Sequence, residues 1–306
     1  MENCLNNVTQ QAAFAIEHKG DHYCGRFCAM ASPCELLIDT QDAMLASQLT
    51  AIAQAEVSRI EHKFSRYRTD NLMHQINHGE GQTVDIDDET YRLLHFADTC
   101  FELSDGMFDL TSGVLRRAWN FNGSDQLPTH QLVNKLLPLI GWQKVEFNST
   151  ELIMPAGMEL DFGGIGKEYA VDCVAKLCAQ HASTVSVVVN FGGDMQVTRP
   201  RNNTQFWHIG IESLKDENLT AQIIKIKAGG LATSGDARRY LLKDGIRYSH
   251  ILNPKTGYPV VGAPRSITVA ASHCVQAGLL ATLALLQGQE AENFLIGQHV
   301  KNWCYR

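Results

Sequence analysis

Residues 161–194, DFGGIGKEYAVDCVAKLCAQHASTVSVVVNFGGD, decide how the rest of the chain is read. Three glycines, Gly163, Gly164 and Gly166, precede a helix expected over Glu168–His181, whose Val171, Val174, Leu177 and Cys178 recur at helical spacing and turn inward. Val185–Phe191 follows as an apolar run of strand length, the pattern of a strand buried on both faces. Asn190-Phe-Gly-Gly-Asp194 then turns the chain sharply at a sheet edge, where ligands frequently sit.

Working outward, strands are expected at Pro33–Ile38, Trp207–Glu212, Gln222–Lys227, Arg247–Leu252 and Ser266–Ala271, with a hairpin over Val145–Met154. A helix begins at Asp42 and carries Leu45, Leu49, Ile52, Ile60 and Phe64 on one face. Asp88–Leu103 is a second, using Tyr91, Leu94, Ala97 and Phe101; Thr129–Ile140 is a third, disturbed by Pro138. Gln276–Gln287 is an apolar helix ended by Gly288. Short strands mixed with helices give an α+β class rather than a regular βαβ alternation. No repeat, low-complexity tract or charged tail marks a linker, so residues 1–306 are expected to form one body with two lobes.

The composition, 44% hydrophobic and 19% charged over 306 residues, excludes a disordered or collagen-like chain. A net charge of −7 gives no general pull toward nucleic acid, which is not expected as a partner. No apolar run reaches the roughly 18 residues of a membrane span, and Gly278 and Thr282 interrupt the longest candidate, so membrane insertion is not expected either. The N-terminus, MENCLNNVTQQ, has neither a basic region nor an apolar stretch, which points to the cytoplasm. None of the nine cysteines has C-x-x-C spacing, and reduced structural thiols are expected, Cys24, Cys28 and Cys34 within a strand-bearing segment.

Five blocks could carry chemistry. Asp161–Glu168 places backbone N–H groups at a helix start with Lys167 as counter-charge, an arrangement for a phosphate or simply for a tight turn. It is no Walker A loop, because Asp161 and Glu168 replace the first Gly and the Ser/Thr; Tyr169 likewise spoils a dinucleotide-binding fingerprint. Thr233-Ser-Gly-Asp-Ala-Arg238 is a further turn candidate. His250, within His250-Ile-Leu-Asn-Pro-Lys-Thr-Gly-Tyr-Pro259, is either a proton acceptor near neutral pH or a structural histidine. In Gly106-Met-Phe-Asp-Leu-Thr-Ser-Gly-Val-Leu115, followed by Trp119, Phe121 and Gly123, a carboxylate among aromatics suits an amide-bearing ring, or else caps a helix. Phe64-Ser-Arg-Tyr-Arg-Thr-Asp70 offers Tyr67 for stacking, or solvated surface.

Taken in order, Ala29-Met30-Ala-Ser-Pro-Cys34, FSRYRTD, GMFDLTSGVL, DFGGIGKEYAVD, NFGGD, TSGDARRY, SHILNPKTGYP, SITVAA and AGLLATLALLQG resemble the ApbE family, the FAD:protein FMN transferases. The resemblance spans about Met30 to Gly288. It implies an α+β, T-fold-like body with FAD in a cleft between lobes, surrounded by Met30, Tyr67, Met107, Phe108, Asp109, Asp161, Lys167 and the segment His250–Leu252. It further implies a magnesium ion at the pyrophosphate, held by the Gly164 carbonyl and Thr282, and transfer of FMN to a threonine hydroxyl of a target flavoprotein with release of AMP. His250 is then the group that takes the proton from that hydroxyl.

The family's metal site also uses an aspartate where this chain has Gly278. No Asp or Glu occurs anywhere from Gly245 to Gln289, and magnesium favours carboxylate oxygens. Asn253 where Asp is common, and Met-Ala-Ser for Met-Gly-Thr, are lesser departures. The transferase reading then needs FAD phosphates, Thr282, carbonyls and water around the metal, or an acid such as Asp161 or Asp236. The alternatives are a flavin-binding relative that has lost transfer and an FAD pyrophosphatase giving FMN and AMP. On the transferase reading, Gly278→Asp is expected to tighten magnesium binding.

Overall fold

In chain order the strands are β1 (Ala15–His18), β2 (Tyr23–Ala29), β3 (Ser32–Ile38), β4 (Thr83–Asp85), β5 (Glu146–Phe147), β6 (Glu151–Ile153), β7 (Val187–Phe191), β8 (Asp194–Val197), β9 (Trp207–Glu212), β10 (Thr220–Ile226), β11 (Gly229–Gly235), β12 (Tyr240–Lys243), β13 (Ile246–Ser249), β14 (Ser266–Ala271) and β15 (Lys301–Tyr305). The helices are α1 (Ala43–Phe64), α2 (Leu72–Asn77), α3 (Asp88–Leu103), α4 (His130–Leu136), α5 (Gly166–His181), α6 (Cys274–Leu286) and α7 (Ala291–Gly297). This computed structural model describes residues 14–121, 125–212, 220–236 and 240–306. Gly123 and Arg238, from two of the motif blocks, and Cys4 lie outside the described residues.

Eight strands form one sheet in the order β1-β2-β3-β7-β8-β11-β14-β15. Every neighbouring pair is antiparallel, which confirms α+β and excludes βαβ crossovers within the sheet. The chain leaves the sheet after β3 and returns at β7, so α1 to α5 are all inserted between two adjacent strands.

Helices α1, α5 and α6 cover one face of the sheet, and the β9–β10 ribbon covers the other. Along β7, Val187, Val189 and Phe191 join the core under the helices, while Val188 joins Trp207, Ile211 and Ile224 under the ribbon. Burial on both faces is why this strand reads as continuously apolar.

Local signals account for most helix boundaries. The Asp42 side chain accepts from the N–H groups of Met44 and Leu45 at 2.8 and 3.1 Å and starts α1. The α3 limits match the expectation, but its buried face is Leu93, Leu94, Ala97 and Cys100, with Tyr91 and Phe101 only half-buried. The third helix stops at Leu136 and tightens into a 3-10 turn through Leu139 around Pro138, which has no N–H to give. The strand expected over Arg247–Leu252 is shorter, ending at Ser249, and Leu252 instead bridges Pro259.

Several elements are absent from the pattern reading. In β11 the glycines of GGLATSG hide a central strand, and Thr233–Gly235, read as a turn, is its end. The C-terminal β15 closes the sheet edge beside β14. Among the described residues no helix is long and apolar enough to cross a membrane.

Candidate active site

The glycine-rich turn of the decisive stretch folds as expected, into the start of a helix. Asp161 accepts from the Gly163 N–H at 2.9 Å and caps a 3-10 turn over Phe162–Gly164. Ile165, the residue before the α5 that follows, gives no side-chain cap, and among the described residues the first backbone donors of α5 remain available for an anion. The Phe108 ring borders this turn: a Cβ built on Gly164 would lie 3.2 Å from it. On the outer side Arg66 forms an ion pair with Asp161 and donates to the Tyr67 hydroxyl at 2.7 Å, its guanidinium 4.9 Å from the Tyr67 ring centre. Tyr67 is 79% exposed, an aromatic face open to solvent beside the turn.

Two hairpin tips approach the same helix start. Met30 and Ala31 connect β2 to β3 with φ of 51° and 54°, a left-handed pair that strains non-glycine residues. Gly192 and Gly193 connect β7 to β8 with φ of 63° and 102°. The Gly192 N–H donates to the Pro33 carbonyl at 2.9 Å, and a Cβ at Gly192 would stand 3.1 Å from Ser32 and 3.7 Å from the Lys167 ammonium. Lys167 thus lies beside the β7–β8 tip. It also has a partner the sequence does not announce, Asp194, at 2.5 Å. Asp194 is 2% exposed and accepts from the Thr233 N–H at 3.0 Å as well. Burial, the largest single influence, opposes the lysine's charge, but Asp194 and Glu168 acting together raise the Lys167 pKa.

The inner side of α5 packs on α6. Both Asp172 oxygens accept from the N–H groups of Cys274 and Val275, at 2.9 and 3.0 Å, capping α6 from a neighbouring helix. One turn earlier on α5, Glu168 faces Gly278: a Cβ there would stand 2.8 Å from Glu168 Cγ and 2.9 Å from its Oε1. Burial, followed by the Asp194 charge, pushes the Glu168 carboxyl up to about 8. Among the described residues its Oε2, shielded from solvent, has no hydrogen-bond partner. Thr282 donates to the Ser234 hydroxyl at 3.3 Å. An aspartate at position 278, expected to tighten magnesium binding, would meet the Glu168 side chain, which would have to shift to admit it.

The remaining candidates belong to a second group of contacts. His250 follows β13 and lies edge-on to Phe121 with ring centres 6.2 Å apart, and Phe121 stacks on Trp119 at 5.7 Å. Leu252 packs in the same cluster as Trp119 and Leu115. Trp119 Nε1 donates to the Gly257 carbonyl at 2.8 Å, fastening the His250–Pro259 loop to the Gly106–Leu115 block. In that block Met107 is half-buried and Phe108 buried. Asp109 accepts from the Thr111 N–H and hydroxyl at 2.8 and 2.6 Å and from the Trp142 N–H at 3.1 Å. Its carboxylate thus also holds the chain turn, the capping role left open by the sequence. An open cavity of about 580 Å³ lies between the two blocks, lined by Gly106, Asp109, Gly141, Pro254 and Lys255. Lys167 and Asp161 do not line this cavity.

Arg66, Asp194, Ser234 and above all Glu168 are the site residues that the sequence reading passes over. For Glu168 a signal exists. Glu168 and Asp172 are spaced by four on α5, as are Cys274, Gly278 and Thr282 on α6, so each set lies along one helical face.

The ApbE family model matches residues 30–302. An FAD:protein FMN transferase of Vibrio cholerae is 29% identical over 248 residues, 78% of this chain and 74% of that protein. One from Treponema pallidum is 27% identical over 271 residues, 81% and 72%. Among solved structures, the ApbE protein of Thermotoga maritima superposes with a TM-score of 0.84 at 28% identity, covering 92% of this chain and 94% of that one. The flavin transferase ApbE of Vibrio cholerae, at 23% identity and TM-score 0.79, covers 96% and 93% and shares the fold.

Proposed function

This chain belongs to the ApbE family, and from that premise we propose that it is an FAD:protein FMN transferase, moving FMN from FAD to a threonine hydroxyl of a target flavoprotein. The observation that carries the reading is the start of α5, which Ile165 leaves without a side-chain cap, with Lys167 beside the β7–β8 hairpin tip. A pyrophosphate there meets backbone N–H groups, the positive end of a helix and one ammonium. Because Lys167 also serves Asp194, its contribution is a shared hydrogen-bond donor rather than a free charge.

In the reaction the threonine oxygen bonds to the FMN phosphorus, the bond from that phosphorus to the AMP phosphate oxygen breaks, and AMP leaves with the electron pair. His250 accepts the hydroxyl proton, a step suited to an imidazole near neutral pH. Met30, Tyr67, Met107, Phe108 and Leu252 offer apolar and aromatic surface for the flavin, and Asp109 and Asp161 offer acceptors at its edge. The residues fit a magnesium ion as well. Glu168 Oε2 is a buried oxygen without a partner, and the Thr282 hydroxyl and Gly164 carbonyl are hard oxygen donors on adjoining elements. When bound, the ion supplies neutralisation of phosphate charge as P–O cleavage develops.

The test is to incubate the protein with FAD, Mg²⁺ and a domain carrying a flavinylation-type threonine, and to weigh the acceptor by mass spectrometry. An added FMN with one AMP released per adduct supports transfer. Free FMN with AMP and no adduct means FAD hydrolysis, and bound FAD with neither product means a flavin-binding protein. His250→Ala is expected to abolish transfer while FAD stays bound; retained transfer removes His250 from the proton-accepting role.

A further inference from the structure

We propose that Glu168, reaching from α5 into the space left open by Gly278 on α6, supplies the carboxylate ligand of the divalent cation, so that the acid comes from the opposite helix of the pair. This rests on the transferase reading only for the cation's purpose; the ligand assignment stands on the helix contact itself.

Space is the first argument. A side chain at position 278 and the Glu168 carboxylate compete for one volume, since a Cβ at Gly278 would stand 2.8 Å from Glu168 Cγ. Ordinary contacts begin well beyond that separation. The glycine is what admits the glutamate.

Availability is the second. Asp172 has both oxygens on the α6 N-terminus, Asp194 is taken by Lys167 and Thr233, and Asp161 by Arg66 and Gly163. Asp236 has one bare oxygen, but its other accepts from Arg247 Nε at 2.9 Å, which balances its charge. Among the described residues Glu168 Oε2 is buried and unpartnered, and Lys167 acts on that carboxylate only through space, its ammonium being paired with Asp194. Leaving a carboxylate oxygen buried and unsatisfied is costly unless something binds it.

Register is the third. Asp172 meets Cys274, and Glu168 meets Gly278, one turn back on α5 and one turn on along α6. The same antiparallel register, continued by one turn, sets the Gly164 segment against Thr282, and α6 does touch the 3-10 turn that carries Gly164. Carbonyl, carboxylate and hydroxyl thereby converge at one end of the helix pair. Among the described residues no group of three His, Cys, Asp or Glu side chains gathers to hold a metal. One acid with neutral oxygens leaves coordination positions for phosphate and water, the mode magnesium prefers.

The test uses the full chain and Mn²⁺, read by electron paramagnetic resonance with and without FAD, for the unaltered protein and for Glu168→Gln, Asp236→Asn, Gly278→Asp and Glu168→Ala/Gly278→Asp. The expected result is a loss of at least about tenfold in Mn²⁺ affinity for Glu168→Gln, with FAD binding retained, and no loss for Asp236→Asn. Gly278→Asp alone is expected to lower the melting temperature, and the double variant to recover Mn²⁺ binding. Melting in chelator against melting in Mg²⁺ separates ligation from folding. Glu168→Gln should be at least as stable as the unaltered protein in chelator, and it alone should gain nothing from Mg²⁺. Unchanged Mn²⁺ affinity in Glu168→Gln, or a loss that follows Asp236→Asn, overturns the assignment. Glu168-dependent Mn²⁺ binding without any FMN adduct leaves the assignment standing and removes the transferase reading, whereas an adduct formed by Glu168→Gln at the original Mg²⁺ requirement does the reverse.

Discussion

At Gly230 the sheet and α6 come so close that a Cβ would stand 2.4 Å from the Cys274 nitrogen and 2.4 Å from the His273 carbonyl carbon. Both obstacles are backbone, which cannot rotate aside as a side chain does. Gly230→Ala is therefore expected to destabilise by about 1–3 kcal/mol, seen as a lower urea midpoint with unchanged m-value. Lys167 poses a different residue-scale problem, because it neutralises the buried Asp194 and also borders the anion turn. Lys167→Met is expected to weaken FAD binding about tenfold or more, since a charge-assisted hydrogen bond contributes about 1.5–3 kcal/mol. Fluorescence titration of FAD measures it, and an affinity equal to that of the unaltered protein excludes Lys167 from the pyrophosphate site.

At the scale of elements, α6 begins without a cap of its own, for the His273 side chain accepts nothing from the first turn. Asp172 provides the cap from α5 and so ties the start of one helix to the middle of another. Asp172→Ala is expected to cost about 1 kcal/mol, a fall of about 2 °C in melting temperature for a chain of this size. Because the same contact sets the register that brings Glu168 to Gly278, Mn²⁺ affinity should fall alongside stability. A stability loss with Mn²⁺ affinity intact shows that Asp172 only caps.

At the scale of the molecule, α1, α3 and α5 meet around Glu89. It accepts from Arg59 at 2.6 and 2.8 Å, from Lys63 at 2.6 Å and from the Tyr169 hydroxyl at 2.8 Å. The Arg59 hydrogen bonds, against the cost of burial and with help from Lys63 and Tyr169, lower its pKa from 4.5 to about 2. An unfolded Glu89 binds its proton at higher pH than the folded one. The stabilisation is thus complete above pH 4.5 and disappears as pH falls toward 2. Melting temperatures measured from pH 5 to pH 3 should drop more steeply for the unaltered protein than for Glu89→Gln. Parallel slopes exclude this network from acid stability.

Much of this architecture is legible in the residues. Helices α1, α3 and α5 are long enough for periodicity to average over several turns, and Asp42 and Asp87 announce two of their starts. Short strands carry less information: β11 is obscured by its glycines, and β12 and β15 are only four and five residues long. The candidate site divides in the same way. Asp161, Lys167 and the β7–β8 tip are visible because glycine patterns mark backbone that must turn, whereas the pairings of Arg66 with Asp161 and of Lys167 with Asp194 join residues far apart in sequence.

The sequence by itself determined the α+β class, the ordered blocks of the family and the missing acid at position 278, since each depends on residue type and local spacing. Only the tertiary structure decided that the Glu168 side chain stands against Gly278. Glu168 and Gly278 are separated by more than a hundred residues, and the four-residue spacing on each helix does not say which helix it faces. What joins them is close packing. Two helices approach along faces spaced by four residues, and the volume left by an absent side chain is filled by the one opposite.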